Sequence, residues 1–200
     1  MEKRNLGNTG TKVSALGIGA MSFSDFYGPT NTQESHAILK MALDNGIDHI
    51  DTAKVYGMGL SEERIGQFLN TLSPNDRQFF KIATKGGIDR KNFDDKGTVV
   101  FDNSKEFLTE ELNNSLRRLG VDCVELYYVH RREADRPIEE VTETLVEFIK
   151  DGKIKQFGFS EIAPTSLEKA ASIHPVGAVP VSYTHLRAHE TREDLVWRLR

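Results

Sequence analysis

Short apolar runs alternate with helix-spaced apolar stripes along most of this chain, and that alternation limits its fold more than any other feature. Residues 15–21, 49–51, 79–84, 124–129 and 154–159 read as strands. Between them, apolar side chains recur at helical spacing: Ile38, Met41 and Ala42; Ile65, Phe68, Leu69 and Leu72; Leu108, Leu112, Leu116 and Leu119; Val141, Leu145, Phe148 and Ile149. Residues 164–173 read as a further helix, and 176–181 as the start of a sixth strand. Strands that alternate with helices call for a parallel sheet with right-handed crossovers. Two arrangements stay open at this point, a doubly wound sheet and a TIM-type barrel. A doubly wound dinucleotide-binding sheet carries G-x-G-x-x-G at its first strand–helix turn. Here Gly17 and Gly19 supply the G-x-G, but Ser22 stands where the third glycine belongs, so a tight strand end is the better reading. Residues 4–13, with their Asn-Thr-Gly turn, read as a small hairpin, the kind that would plug the bottom of a barrel.

Charge and cysteine usage remove several classes of function. The 200 residues carry a formal charge of −4 and a mean hydropathy of −0.45. A nucleic-acid binder would show a basic balance. No apolar run approaches the ~20 residues of a membrane helix, and the N-terminus lacks the apolar core of a signal peptide. A single cysteine, Cys123, excludes an internal disulfide and a cysteine-based zinc site, and its strand-like setting suits a small core residue. His185 and His189 are four apart, but no third ligand is in view, so no metal is expected. The expectation is a cytoplasmic enzyme or small-ligand binder, with no nucleic-acid or membrane partner and an oligomeric state that the sequence leaves open.

Three ionisable residues end three successive strands: Asp51 after HI, Lys85 after KIAT and His130 after VELYYV. In a barrel such ends point to one face, and that face holds the active site. Each has a plain alternative, as helix cap, solvated lysine or hydrogen-bonded histidine. Three in a row argue against coincidence. Tyr56 follows Asp51 by five residues and is flanked by Gly57 and Gly59, which places it in a loop over the same face. Ser61 reads as the cap of the helix that follows.

The segment DHIDTAKVYGMGLSEERIG (48–66) resembles the signature of the aldo-keto reductase family. IATKGG (82–87) resembles that family's lysine motif and LYYVHRREADRPIEE (126–140) its histidine motif. GKIKQFGFSEIAPTSLEKA (152–170) resembles its fifth-strand segment, in the Gly-Phe-Ser-Glu style of a branch of short bacterial, fungal and plant reductases. The resemblance runs from about Asn5 to about Val179. It implies an incomplete (β/α)8 barrel with an N-terminal β-hairpin and about six of the eight strands, over residues 1–180. It implies an NADP(H)-dependent oxidoreductase that reduces aldehydes or ketones to alcohols, with a small carbonyl compound as substrate. By matching motifs, Asp51, Tyr56, Lys85 and His130 form the catalytic tetrad. Tyr56 is the general acid; Lys85 favours its phenolate form, Asp51 holds Lys85, and His130 hydrogen-bonds the carbonyl oxygen. Gly19, Met21, Asp51, Ser160 and Glu161 match cofactor-contacting positions, and Ser22, Phe23 and Arg131 fall on the substrate side. Two other functions stay in view: a non-catalytic NADP(H)-binding regulatory subunit of the same family, and a Schiff-base aldolase using Lys85.

Beyond Val179 the motif resemblance stops. Pro180 stands where the family carries a glutamine toward the nicotinamide amide, and Tyr183 meets an aromatic position by accident. Residues 181–200 look like translated adapter sequence, a non-family tail that would be disordered or form a short helix with Leu195 and Leu199 on one side. The expectation is a truncated reductase lacking strands seven and eight, with weak cofactor binding, poor solubility and impaired turnover.

Overall fold

A computed structural model describes residues 1–7, 10–93 and 99–180. Two short antiparallel strands, β1 (Lys3–Asn5) and β2 (Lys12–Ser14), form the expected hairpin. The main sheet then builds in chain order from β3 (Gly17–Gly19), β4 (His49–Asp51) and β5 (Lys81–Gly86). Helices α1 (Thr32–Asp44) and α2 (Leu60–Asn70) follow β3 and β4, and a short helix α3 (Pro74–Phe79) leads into β5. A second hairpin, β6 (Ile88–Phe93) and β7 (Val99–Phe101), precedes α4 (Lys105–Leu119). Strand β8 (Val124–Val129), α5 (Ile138–Lys150), β9 (Ile154–Phe159) and α6 (Pro164–Ile173) complete the described chain.

The five-stranded sheet has the order β3-β4-β5-β8-β9, and every neighbouring pair is parallel. That order decides between the two arrangements left open by the sequence. A doubly wound sheet reverses its strand order at a switch point. Here the order never reverses, so the sheet is wound in one direction, as barrel strands are. Among the described residues the sixth strand is represented by a parallel bridge, Gly158 to Ala178, and by Gly177 N–H donating to Phe157 O at 2.8 Å. Residues 181–200, with His185, His189 and Tyr183, lie outside the described residues.

Helix boundaries follow local chemistry. Asn31 and Glu34 make a reciprocal capping box at the start of α1, and Ser104 caps α4. Gly120 ends α4 in the left-handed conformation, with φ of 67°. Ser73 caps α3 with Pro74 in the first turn, so the strand read from residue 79 begins at Lys81 instead. Leu108, Leu112, Leu116 and Leu119 of α4 are all buried against the sheet. Each such side chain contributes on the order of 2 kcal/mol. The stripe read on α1 is displaced. Ser35, Leu39 and Ala42 face inward, whereas Ile38 and Met41 are exposed, because only one face of this helix meets the sheet.

Two apolar clusters separate the faces of the sheet. The large one lies between strands and helices and includes Ile50, Leu69, Leu112, Tyr127, Phe148 and Phe157. The small one lies on the opposite face, where Ala83, Leu126 and Tyr128 meet Leu6 of the hairpin connection and Ala178. The N-terminal hairpin is fastened to the entry ends of the strands. Lys3 pairs with Asp48 at 2.5 Å, Ser14 N–H donates to Asp48 at 2.7 Å, and Thr11 donates to Glu125 at 2.7 Å. The exit ends therefore stay clear of it.

Candidate active site

Parallel strands deliver their last residues to one rim. Asp51 is the final residue of β4, Lys85 the penultimate residue of β5, and His130 follows β8 directly. His130 N–H donates to Gly86 O at 2.8 Å, which continues the β5–β8 ladder past the strand end. After β4 the chain stays on β5 as well, with Thr52 N–H to Ala83 O at 2.9 Å and Lys54 N–H to Lys85 O at 3.3 Å. The next turn, Tyr56–Gly59, is thereby carried over Lys85.

Lys85 is the hub. Its ammonium donates to the Asp51 carboxylate, to Thr52 O at 2.9 Å and to the Tyr56 hydroxyl at 3.3 Å. Its side chain is 5% exposed, and that of Asp51 is 38% exposed, so one end of the pair is dry and the other meets solvent. The Tyr56 and His130 rings stand edge to face, with centroids 6.0 Å apart and planes at 87°. All four sequence-derived residues thus meet at one place. Burial, followed by the charges of Lys85, Arg131 and Arg90, lowers the His130 pKa to about 3. Its imidazole is neutral at neutral pH, and its Nδ1 is buried without a partner among the described residues.

The turn that carries Tyr56 is strained and tightly fitted. Met58 has φ of 55°, in the left-handed region that costs a non-glycine residue about 1–2 kcal/mol. Gly57 shares that region, and a Cβ there would lie 2.8 Å from Ser24 Cβ, so only glycine fits. Ser61 does not cap α2. The cap is Gly59, and Ser61 sits in the first turn with no exposure. Its hydroxyl instead donates to Ala20 O at 2.8 Å and pairs with Thr52 Oγ1 at 2.8 Å. It ties the loop after β3 to the segment that carries Tyr56.

A cavity of about 680 Å³ opens above these residues. Asp51, Tyr56, Lys85 and His130 line it, together with Met21, Arg131 and Ser160 from the sequence reading. Ser160 N–H extends the β8–β9 ladder to Val129 O at 3.0 Å, which places its hydroxyl at the rim. Arg131 reaches Ser160 Oγ at 3.4 Å and Glu161 at 3.3 Å, while Glu161 is held at φ of 57°. Asn103 donates to Arg131 O at 3.1 Å and fixes that loop. Gly19 ends β3 at the same rim. Ser22 lies in the short helical turn that follows and is half-buried. Phe23 departs from expectation. It is 1% exposed within the apolar core, because Arg64 grips its carbonyl at 2.6 Å and turns the ring inward. Phe26, two residues past that turn, lines the cavity in its place, as do Met58 and Arg90. Arg90 comes from β6, a hairpin absent from the sequence reading.

Residues 15–195 match the profile of the Aldo/keto reductase family. The chain belongs to that family. The match runs past Val179, where the motif resemblance ends. A curated NADP(+) aldo-keto reductase of Schizosaccharomyces pombe is 35% identical over 192 residues, covering 96% of this chain and 55% of that protein. A probable aldo-keto reductase of Glycine max is also 35% identical, over 96% of this chain and 54% of its own length. The chain spans about half the length of the curated relatives it matches. Among solved structures, the holo form of an aldo-keto reductase from Bacillus halodurans superposes with a TM-score of 0.78 at 32% identity, covering 92% of this chain and 58% of that one. A glycerol dehydrogenase from Gluconobacter oxydans gives 0.76 at 30% identity, over 90% and 54%. The singly wound sheet and its helices therefore correspond to part of the reductase (β/α)8 barrel. Among the described residues no helix is long and apolar enough to cross a membrane, and no three His, Cys, Asp or Glu side chains cluster as metal ligands.

Proposed function

We propose that this chain carries the carbonyl-reducing centre of an NADP(H)-dependent aldo-keto reductase, with aldehydes and small ketones as its substrate class. The observation that carries this reading is the hydrogen bond between the Lys85 ammonium and the Tyr56 hydroxyl, at the mouth of a cavity, with His130 against the same phenol. Family membership and the NADP(+) reductase relative point the same way.

The cavity suits a nicotinamide half-site. Its volume lies within the range of about 300–1,000 Å³ usual for small-molecule sites. The Ser160 hydroxyl faces it as a candidate partner for a carboxamide, with Gly19, Met21 and Glu161 beside the same rim and the solvent-facing side of Asp51 available to a ribose. When bound there, a reduced nicotinamide supplies the hydride that the carbonyl carbon accepts.

The remaining work falls to the chain's own residues. Tyr56 donates its hydroxyl proton to the carbonyl oxygen as negative charge develops. The phenolate left behind faces the Lys85 ammonium, which compensates its charge in a site where Lys85 is almost dry. Asp51 and Thr52 O hold that ammonium in place. A cationic imidazole could compete with Tyr56 for the role of acid. His130, held neutral, acts instead as a hydrogen-bond donor that orients the carbonyl and stabilises the developing oxyanion.

The test is NADPH consumption with an aldehyde panel, using NADPH deuterated at the transferable C4 position. The expected result is one deuterium in the alcohol formed. Absence of NADPH-linked alcohol, together with borohydride trapping of the aldehyde on Lys85, would replace the reductase with the Schiff-base alternative.

A further inference from the structure

The charged residues lining the cavity are unbalanced. Asp51 stands against Lys85, Arg90 and Arg131, three cations to one carboxylate, on a chain whose net charge is −4. The proposed chemistry engages the first pair, since Asp51 holds Lys85. Arg131 is spent on the rim itself, bonded to His130 O at 2.8 Å, to Ser160 and to Glu161. Arg90 has no part in that framework. It extends from β6 into the cavity lining, it is exposed to solvent, and its charge is felt at His130, the residue that would hold the carbonyl. Low-dielectric walls around a cleft of one sign concentrate ligands of the other.

We propose that the cleft selects carbonyl compounds bearing a second, carboxylate group, and that Arg90 is the specificity-determining residue that pairs with that carboxylate. This rests on the reductase reading for the position of the carbonyl. The guanidinium fork suits a planar carboxylate, which can accept from it in bidentate fashion. Phe26 and Met58, on the same lining, offer an apolar wall to the body of such a molecule. The substrate this predicts is an oxo-acid or a carboxylated aromatic aldehyde.

The test compares 4-formylbenzoate with its neutral methyl ester, on the chain as it stands. Dissociation constants come from ligand-observed NMR titration without cofactor, and kcat/KM ratios from NADPH consumption. The acid is expected to bind about fivefold more tightly than the ester at low salt, with the preference shrinking at 0.5 M salt. Arg90→Gln is expected to erase the preference by weakening acid binding to the level of the ester, while Arg90→Lys keeps a weaker one. Melting temperatures of both variants serve as the folding control. Equal binding of acid and ester by the wild type, or a preference that survives Arg90→Gln, overturns the proposal. So does an Arg90→Gln variant whose only defect is weaker NADPH binding, since the arginine would then serve the cofactor. The two readings fail separately. Preference together with borohydride trapping of the aldehyde on Lys85 sinks the reductase, and equal binding of acid and ester sinks the role of Arg90.

Discussion

The two ends of the sheet use the same residue types to opposite purpose. At the entry end, Asp48 and Glu125 are buried, and each is fully engaged. Asp48 takes bonds from Lys3 and from Ser14 N–H, and its own N–H donates to Ser14 Oγ at 3.0 Å. Glu125 takes bonds from Thr11 and from Lys155 at 2.9 Å. A cavity of about 470 Å³ exists there too, but its basic residues are occupied: Arg77 by Leu69 O and Asn70, Lys81 by Gln78 O, and Lys155 by Glu125. At the exit end the groups are left part-satisfied. Asp51 keeps one side to solvent, the His130 Nδ1 lacks a partner among the described residues, and Met58 and Glu161 sit at strained φ values. Completed polar networks hold a fold together; incomplete ones around a cavity are poised for a ligand.

Substitutions at each end can break that contrast. The largest stability effect is expected at Asp48. Burial works against its charge, but the bonds from Lys3 and Ser14 outweigh it and lower the pKa. Asp48→Ala strands those partners and should cost about 2–3 kcal/mol in urea unfolding, with activity per folded molecule unchanged. The wild-type contribution is present above the ordinary aspartate pKa and fades as pH falls through the lower folded value, so the deficit should narrow in acid.

His130 at the other end has the opposite sign of linkage. Its pKa is depressed to about 3, so below the ordinary histidine value of 6.5 the unfolded state binds a proton that the folded state refuses. Folding stability therefore drops as pH falls from 6.5 toward 3. Against His130→Gln, the wild type should lose stability with a slope approaching 1.4 kcal/mol per pH unit, about one proton's worth, and run parallel to it above pH 7. Thermal melts of both proteins at pH 7.5 and pH 5 check this. The smallest effect is expected at Met58, whose left-handed backbone glycine would adopt without strain. Met58→Gly should gain about 0.5–1 kcal/mol in melting experiments. A loss there would show that the methionine side chain contributes more than its backbone costs.

Sequence legibility followed the same division. Asp51, Lys85 and His130 were readable because strand ends are fixed by apolar runs, and parallel strands must end on one face. Tyr56 was readable from the glycines around it. The hairpin β6–β7 was not, since its polar run IDRKN shows no strand alternation, and Arg90 was lost with it. Ser61 looked like a cap because its neighbours are acidic, yet Gly59 at φ of 105° caps the helix two residues earlier. Helix α3 did carry its signal in Ser73-Pro74. Phe23 could not be placed from the chain alone, because a contact with Arg64, 41 residues away, turns it inward.

The reductase account turns on a single phenol. Replacing Tyr56 with phenylalanine removes one oxygen and leaves the ring against His130 and the ammonium over its face. The measurement is NADPH-dependent aldehyde reduction, normalised to folded protein, in the wild type and Tyr56→Phe side by side. The account predicts a drop of about 10²–10⁴-fold in kcat with the melting temperature preserved. Reduction at the wild-type rate without that hydroxyl would contradict it.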